Sequence, residues 1–426
     1  MRDDADATTK NILSGAEGIK EVNDHVLILP AQGNALAVKA REGLVLVDSG
    51  PGRGATKKMM AALREWSDLP VRAICYSHGH VGYNDGVRMW VDAAAERGEA
   101  APMLIAQENC IRRYNRYRET GGLQHALNTM QFPQFDMADS RALIVNPTVT
   151  FREHMVLDTG SPRIELIAAP SETDDVLSLW LPEDRILYAG AAFPGTTIPN
   201  VGTPLRTLRL TIRWAETLEK LAALKPAVLI QEFGRVIEGE QAVADRLLGS
   251  AEALRWIRRE VVERMNRGMS DLEIIHDIDY PDHLFDQSWM RERYGARDYI
   301  VRDMFREENG WWDRNPTTLH PAHPDDAGRA VLEAIGDPQT VLAKARSLAE
   351  AGDAQLALHV IDLLALAPGS DPAVVEAQKL KAEICRTRAG EVAPYVSKAL
   401  YESSARLLEK GKRRWSEREE LQAAAE

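Results

Sequence analysis

Two histidines two residues apart, His78 and His80, lie in the stretch Tyr76-Ser77-His78-Gly79-His80-Val81-Gly82-Tyr83-Asn84-Asp85-Gly86. Neutral imidazole is a good ligand for zinc, iron or manganese, so a His-x-His pair on one loop is half of a metal site when other donors converge on it. The same pair is compatible with a surface loop that binds nothing. Carboxylates also stand in three further polar segments. These are the turn Asp48-Ser49-Gly50-Pro51-Gly52, the loop Pro170-Ser171-Glu172-Thr173-Asp174-Asp175, and Glu232-Phe233-Gly234.

The surrounding pattern places these segments at strand ends. Val71 to Cys75 is a short apolar run that reads as a buried strand, and Val87 to Arg97 is amphipathic and reads as a helix. Upstream, His25–Pro30, Ala35–Lys39 and Gly43–Asp48 are β-rich runs, followed by a helical pattern over Ala55–Trp66. Downstream, Met103–Ala106 reads as a strand and Glu108–Glu119 as a helix; residues 120–160 have weak periodicity and read as an insertion near the site. Arg163–Ala169 is a strand, and Val176–Leu181 with Arg185–Tyr188 forms a hairpin. Ala189–Leu205 is a Gly/Pro-rich loop of a length that is usually functional. Arg206–Leu224 is a predicted helix and Ala227–Gln231 a strand ending at Glu232. From Glu238 the strand signals stop. Helical patterns follow over 240–267, 270–277, 288–310 and most of 325–426, with 338–410 resembling successive helical hairpins. These boundaries divide the chain into a tail over 1–20, a mixed domain over 21–238 and a helical domain over 239–426.

Composition narrows the partners. The formal net charge of −12 disfavours nucleic acid or an anionic membrane as the main partner. The three cysteines, Cys75, Cys110 and Cys385, have no Cys-x-x-Cys spacing, which argues against a disulfide framework and a cysteine zinc site. Met1–Lys10 has no apolar core for a signal peptide, and no run approaches the ~18 apolar residues of a membrane helix. The expectation is a cytoplasmic protein acting on a small molecule.

The order strand, strand, Asp-bearing turn, helix, strand, His-x-His loop resembles the first half of the metallo-β-lactamase fold. That family has an H-x-H-x-D-H motif where this chain has His78-Gly79-His80-Val81-Gly82-Tyr83. Glu172 stands on the loop of the family's next ligand, Gly190-Ala191 at its bridging acid, and Glu232 at its last ligand. A narrower resemblance is to the alkyl-sulfatase branch, in which the third ligand is Glu. That branch has an Asn and an Arg for the sulfate group near Asn200 and Arg206. Its dimerisation domain resembles Arg264-Met265-Asn266-Arg267-Gly268 and Gly310-Trp311-Trp312-Asp313-Arg314-Asn315-Pro316. The resemblance implies an α/β, αββα sandwich followed by an all-α dimerisation domain, and a homodimer.

The departures shape the expected chemistry. Gly82, Tyr83, Ala191 and Glu232 occupy the slots of the family's second metal, and glycine and alanine supply no ligand atom. His78, His80 and Glu172 remain, which is the three-ligand pattern of a catalytic mononuclear site. It is also the donor set of mononuclear non-haem iron. One divalent ion per chain is expected, zinc first, with iron or manganese as alternatives. Glu232 and Tyr83 are candidates for proton handling, Asn200 and Arg206 for substrate contacts, and Asp48 for support of the ligands. The three functional readings are a metallo-hydrolase, an oxygenase-type iron enzyme on the same site, and a degenerate binding protein.

Overall fold

The computed structural model describes residues 18–132 and 143–418. The described residues fall into two compact units, one holding 18–121 and 143–310, the other 122–132 and 311–418.

The first unit is built on two sheets. The seven-stranded sheet runs in chain order from β1 to β7: Lys20–Asn23, Val26–Pro30, Asn34–Ala40, Gly43–Val47, Val71–Cys75, Met103–Gln107 and Val149–Phe151. Its first four strands are antiparallel neighbours, and β4 to β7 are parallel. The parallel steps to β5 and β6 are carried by the helices Arg53–Trp66 and Val87–Glu96, as parallel pairing requires a crossover. The six-stranded sheet has the order β13-β12-β11-β10-β9-β8. Its strands are β8 His154–Leu157, β9 Ile164–Ala168, β10 Leu177–Leu181, β11 Ile186–Gly190, β12 Val228–Gln231 and β13 Ile237–Glu238.

Strand alternation sorts the apolar side chains into three layers. Val26, Ile28, Val45 and Val47 meet Leu177, Leu179, Ile186 and Tyr188 between the sheets. The opposite residues of the first sheet, Leu27, Leu29, Leu44 and Leu46, pack with Met59, Leu63 and Trp90 of its covering helices. Trp180, Leu187 and Leu229 on the outer face of the second sheet pack under Trp214 and Leu218 of the helix Thr211–Ala222. Val243, Leu247 and Leu254 of the helix Glu240–Asn266 extend that layer, as do Ile300 and Met304 of the helix Arg297–Asn309. The result is the expected αββα sandwich.

The second unit is helical. Its core joins the helices Pro338–Glu350, Ala354–Ala365, Pro372–Glu391 and Tyr395–Glu409 through small residues such as Ala345, Ala357 and Ala377, each fully buried. Asp337 and Asp371 cap the backbone N–H groups of Gln339 and Ala373, each followed by Pro at the first helical position. No helix among the described residues is long and apolar enough to cross a membrane.

Several sequence boundaries need correction. Most of the predicted 1–20 tail lies outside the described residues, but Lys20 already begins β1. Part of the 120–160 insertion also lies outside them, while Gly121–Gln131 is helical and Val149–Phe151 and His154–Leu157 are strands. The helix expected from Arg206 starts at Thr211, because Leu205 has φ 68° and Leu210 is extended. The helix expected from 288 starts at Arg297. The Arg291 carbonyl and the Tyr294 N–H are instead bonded to Ile198 and Thr197 of the long loop, at 3.0 and 3.1 Å.

Trp214 is fully buried and donates from its indole N–H to the Ala192 carbonyl at 2.8 Å. Trp214→Ala is expected to cost about 3–5 kcal/mol, read by urea unfolding. A loss below about 1 kcal/mol would contradict close packing between this helix and the second sheet.

Candidate metal centre

The His loop leaves the C-terminal end of β5 and is held by the turn after β4. Asp48, in a left-handed conformation with φ 65°, accepts the Ser77 backbone N–H at 2.8 Å and the Asn84 amide at 2.9 Å. Burial pushes the Asp48 carboxyl up to about 7, against the bonds from Ser77 and Asn84 that favour its charge. The Ser77 hydroxyl lies 3.0 Å from His78 Nδ1. That contact leaves His78 Nε2 for the interior of the site, as a partner on one ring nitrogen frees the other for a ligand.

The loop after β9 approaches from the second sheet. Asp175, fully buried, accepts the Gly79 backbone N–H at 2.7 Å, the Arg113 Nε–H at 2.7 Å and the Thr173 hydroxyl at 2.6 Å. A Cβ on Gly79 would stand 2.8 Å from Arg113 and 2.9 Å from Asp175, so only glycine fits between the two histidines. Asp174 pairs with Arg112 and Arg113. Both aspartates are thus committed to arginines. Asp85 is a separate, half-buried acid, pushed up to about 6 by desolvation.

These contacts bring His78, His80 and Glu172 together. Glu172 Oε2 is 3.7 Å from His78 Nε2 and 3.7 Å from His80 Nδ1, and the two nitrogens are 2.9 Å apart. Among the described residues this is the one group of three metal-ligating side chains whose donor atoms converge, all within 4.8 Å. The other Glu172 oxygen accepts from Asn200 Nδ2 at 2.8 Å and pairs with Arg209 at 3.1 Å. Burial opposes the Glu172 charge, but Arg209, His78 and Asn200 outweigh it and hold the carboxyl below its ordinary range. Burial drives both imidazoles toward the neutral form, for His80 reinforced by His78 and nearby arginines. Two neutral imidazoles and an ionised carboxylate, with His78 and Glu172 each oriented by a second partner, are a donor set that fits a divalent cation.

Tyr83 and Glu232 occupy the space beside this group. The Tyr83 ring lies edge-on to His78 with centroids 4.4 Å apart, and its hydroxyl donates to Glu232 Oε1. Burial, with the Glu172 charge adding to it, pushes the Glu232 carboxyl well above its ordinary range. Burial likewise keeps the Tyr83 phenol protonated. Ala191 is packed in the apolar layer beneath, and Gly82 turns with φ 95°.

Asn200 therefore lies on Glu172. Arg206 is half-buried on the loop before the helix, and its charge reaches His80. Arg209, three residues further on and not singled out from the sequence, is the guanidinium that pairs with Glu172 and also donates to the Asn200 carbonyl. Spacing alone could not choose between Arg206 and Arg209, because the choice depends on the path of the loop. Ser77 and the Arg113–Asp175 pair were also missed; Arg113 is 62 positions from its partner.

Comparison with known proteins agrees with this architecture. The family model described as metallo-beta-lactamase superfamily matches residues 28–231, and that described as alkyl sulfatase dimerisation matches 271–411. A linear primary-alkylsulfatase from a Pseudomonas species is 28% identical over 345 residues, covering 76% of this chain and 64% of the relative. An (R)-specific secondary-alkylsulfatase, also from Pseudomonas, is 24% identical, covering 82% of this chain and 56% of the relative. The chain thus spans less than two thirds of these relatives. The structure of the stereoselective inverting sec-alkylsulfatase Pisa1 from Pseudomonas superposes with a TM-score of 0.80 at 20% identity, over 92% of this chain and 66% of that one.

Arg113→Met removes the cation from a fully buried carboxylate. It is expected to cost about 3–5 kcal/mol in urea unfolding. An unchanged unfolding midpoint would show that Asp175 does not depend on this pair.

Proposed function

We propose that this chain, which joins a metallo-beta-lactamase superfamily domain to an alkyl sulfatase dimerisation domain, is a metal-dependent hydrolase of sulfate esters of small, partly apolar alcohols. The observation that carries the proposal is the convergence of His78, His80 and Glu172 donor atoms within 4.8 Å. These three residues would hold one divalent ion, zinc first. Such an ion supplies Lewis acidity and makes water a nucleophile at neutral pH. Gly82 and Ala191 offer no ligand atoms, and Tyr83 and Glu232 are bonded to each other, which supports one ion per chain rather than two.

The proton chemistry falls to Glu232 and Tyr83. Glu232 enters the reaction protonated, because burial and the Glu172 charge oppose its ionisation. It donates that proton to the leaving alcohol oxygen as the ester bond breaks. Tyr83, already donating to Oε1, steadies the carboxylate that results. Arg206 holds the anionic sulfate group, and Asn200 and Arg209 fix Glu172 so that its free oxygen faces the imidazoles. Asp48 and Ser77 fix the orientation of His78. The helical second unit carries most of the dimerisation-domain match, which supports a homodimer.

Elemental mass spectrometry of the full chain purified without added metal is expected to give one zinc per chain, lost in His78→Ala. The same preparation is expected to release sulfate from hexyl sulfate and to run at twice the chain mass in light scattering. Two metals per chain would overturn the mononuclear reading, and iron with oxygen consumption would establish the oxygenase alternative. A metal-free protein whose stability ignores chelator would leave a binding protein. Separately, Glu232→Gln should retain its metal but lose about 10²- to 10⁴-fold in kcat. Unchanged kcat in that variant would remove Glu232 from proton transfer.

A further inference from the structure

The Glu172 loop has a second face. It borders a cavity of ≈ 420 Å³ lined also by the helix Asn109–Glu119 and by the segment that enters the helix Thr211–Ala222. Five arginines line this cavity, Arg112, Arg113, Arg116, Arg209 and Arg213, against two carboxylates, Glu172 and Asp174. The whole chain carries a formal charge of −12, so this is a local reversal of sign. Neither His78 nor His80 lines the cavity.

The internal ion pairs do not use up the arginines. Arg112 and Arg113 are paired with Asp174 and Asp175, and Arg209 with Glu172. Arg116 and Arg213 have no carboxylate partner among the described residues; Arg116 lies only against the Tyr117 ring, 5.6 Å from its centroid. Arg213 Nε is buried with no hydrogen-bond partner among them. Both placements are unfavourable for a cation with no anion beside it. Arg112 and Arg116 are four residues apart on one helix, where like charges repel. Arg213 lies in the first turn of its helix, where the helix dipole disfavours a cation.

We propose that this cavity is a second ligand site, built for a small organic anion that carries a phosphate or sulfate group. Guanidinium forks match tetrahedral oxyanions, which accept two parallel N–H bonds from each fork. The volume lies in the range of small-molecule pockets, roughly 300–1,000 Å³, and exceeds what a bare oxyanion fills. Leu208 and Leu210, 37% and 38% exposed, line it and supply an apolar wall for an organic body. The site shares Glu172 and Arg209 with the metal centre but does not use His78 or His80, and it stands whether or not the chain hydrolyses sulfate esters.

The test is calorimetric titration of the full chain, stripped of metal by chelator so that no probe is consumed. The probes are hexyl phosphate, hexyl sulfate and inorganic phosphate. At least one hexyl ester is expected to bind wild type and His78→Ala with equal affinity, and at least tenfold more weakly to the double variant Arg116→Gln/Arg213→Gln. Inorganic phosphate is expected to compete with it but to bind more weakly. Leu208→Ser, at an exposed position, is expected to weaken the hexyl ester and leave inorganic phosphate unchanged, which keeps the test valid if the double variant misfolds. The proposal is overturned if no probe binds the metal-free wild type. It is equally overturned if a folded double variant binds like wild type, or if His78→Ala abolishes binding. Inorganic phosphate binding as tightly as the hexyl esters would overturn the organic body.

Discussion

The arrangement depends on one buried carboxylate. Asp175 is fully inaccessible, yet it reaches Gly79 on the His loop, Arg113 on a covering helix and Thr173 on the Glu172 loop. The His loop belongs to the first sheet and the Glu172 loop to the second, so a ligand set drawn from both needs a tie across the sandwich. A charged acceptor with three donors provides that tie, because hydrogen bonds to an ionised group are the strong ones. The cost of burying Asp175 is offset by Arg113, itself almost buried between two aspartates. The glycine between the histidines follows from the same contact, since the carboxylate and the guanidinium occupy the place of a side chain.

Two glutamates close to that tie are driven in opposite directions. Burial raises both, but Glu172 faces Arg209, His78 and Asn200, whereas Glu232 faces the Glu172 charge, which the Tyr83 hydrogen bond only partly opposes. The surroundings favour the charge on one carboxylate and the proton on the other. Pairs of acids separated in this manner by their surroundings are how a single site offers both an anion and an acid at neutral pH. The charge on one is part of the reason the other holds its proton.

The distribution of charge adds a second theme. The chain is acidic overall, yet arginines concentrate around the Glu172 loop, on the helix Asn109–Glu119 and at the start of the helix Thr211–Ala222. Local fields of this kind draw anions into a cleft whatever the net charge of the molecule. Arg209 belongs to both neighbourhoods, holding Glu172 on one side and lining the cavity on the other.

Much of this was legible along the chain. Continuous apolar runs such as Val26–Pro30 and Gly43–Val47 mark strands covered on both faces, and the observed layers take alternate residues of each run. The switch from strand to helix patterns at Glu238 is a local property and is visible as one; the last strand ends at Glu238. His78 and His80 stand out by their spacing after a strand and because imidazole suits a metal, and Glu172 by the resemblance to the alkyl-sulfatase branch. What the sequence by itself could not decide is which long-range partner each polar side chain takes. Arg206 and Arg209 are near-equivalent in the string, and only the left-handed turn at Leu205 and the extended Leu210 set which one reaches Glu172. The helix expected at 288 gave way because Arg291 and Tyr294 bond to a loop nearly a hundred residues away. Backbone periodicity is set by near neighbours and can be read in order. Pairing of buried charges is set by the closing of the sandwich, and is decided only there.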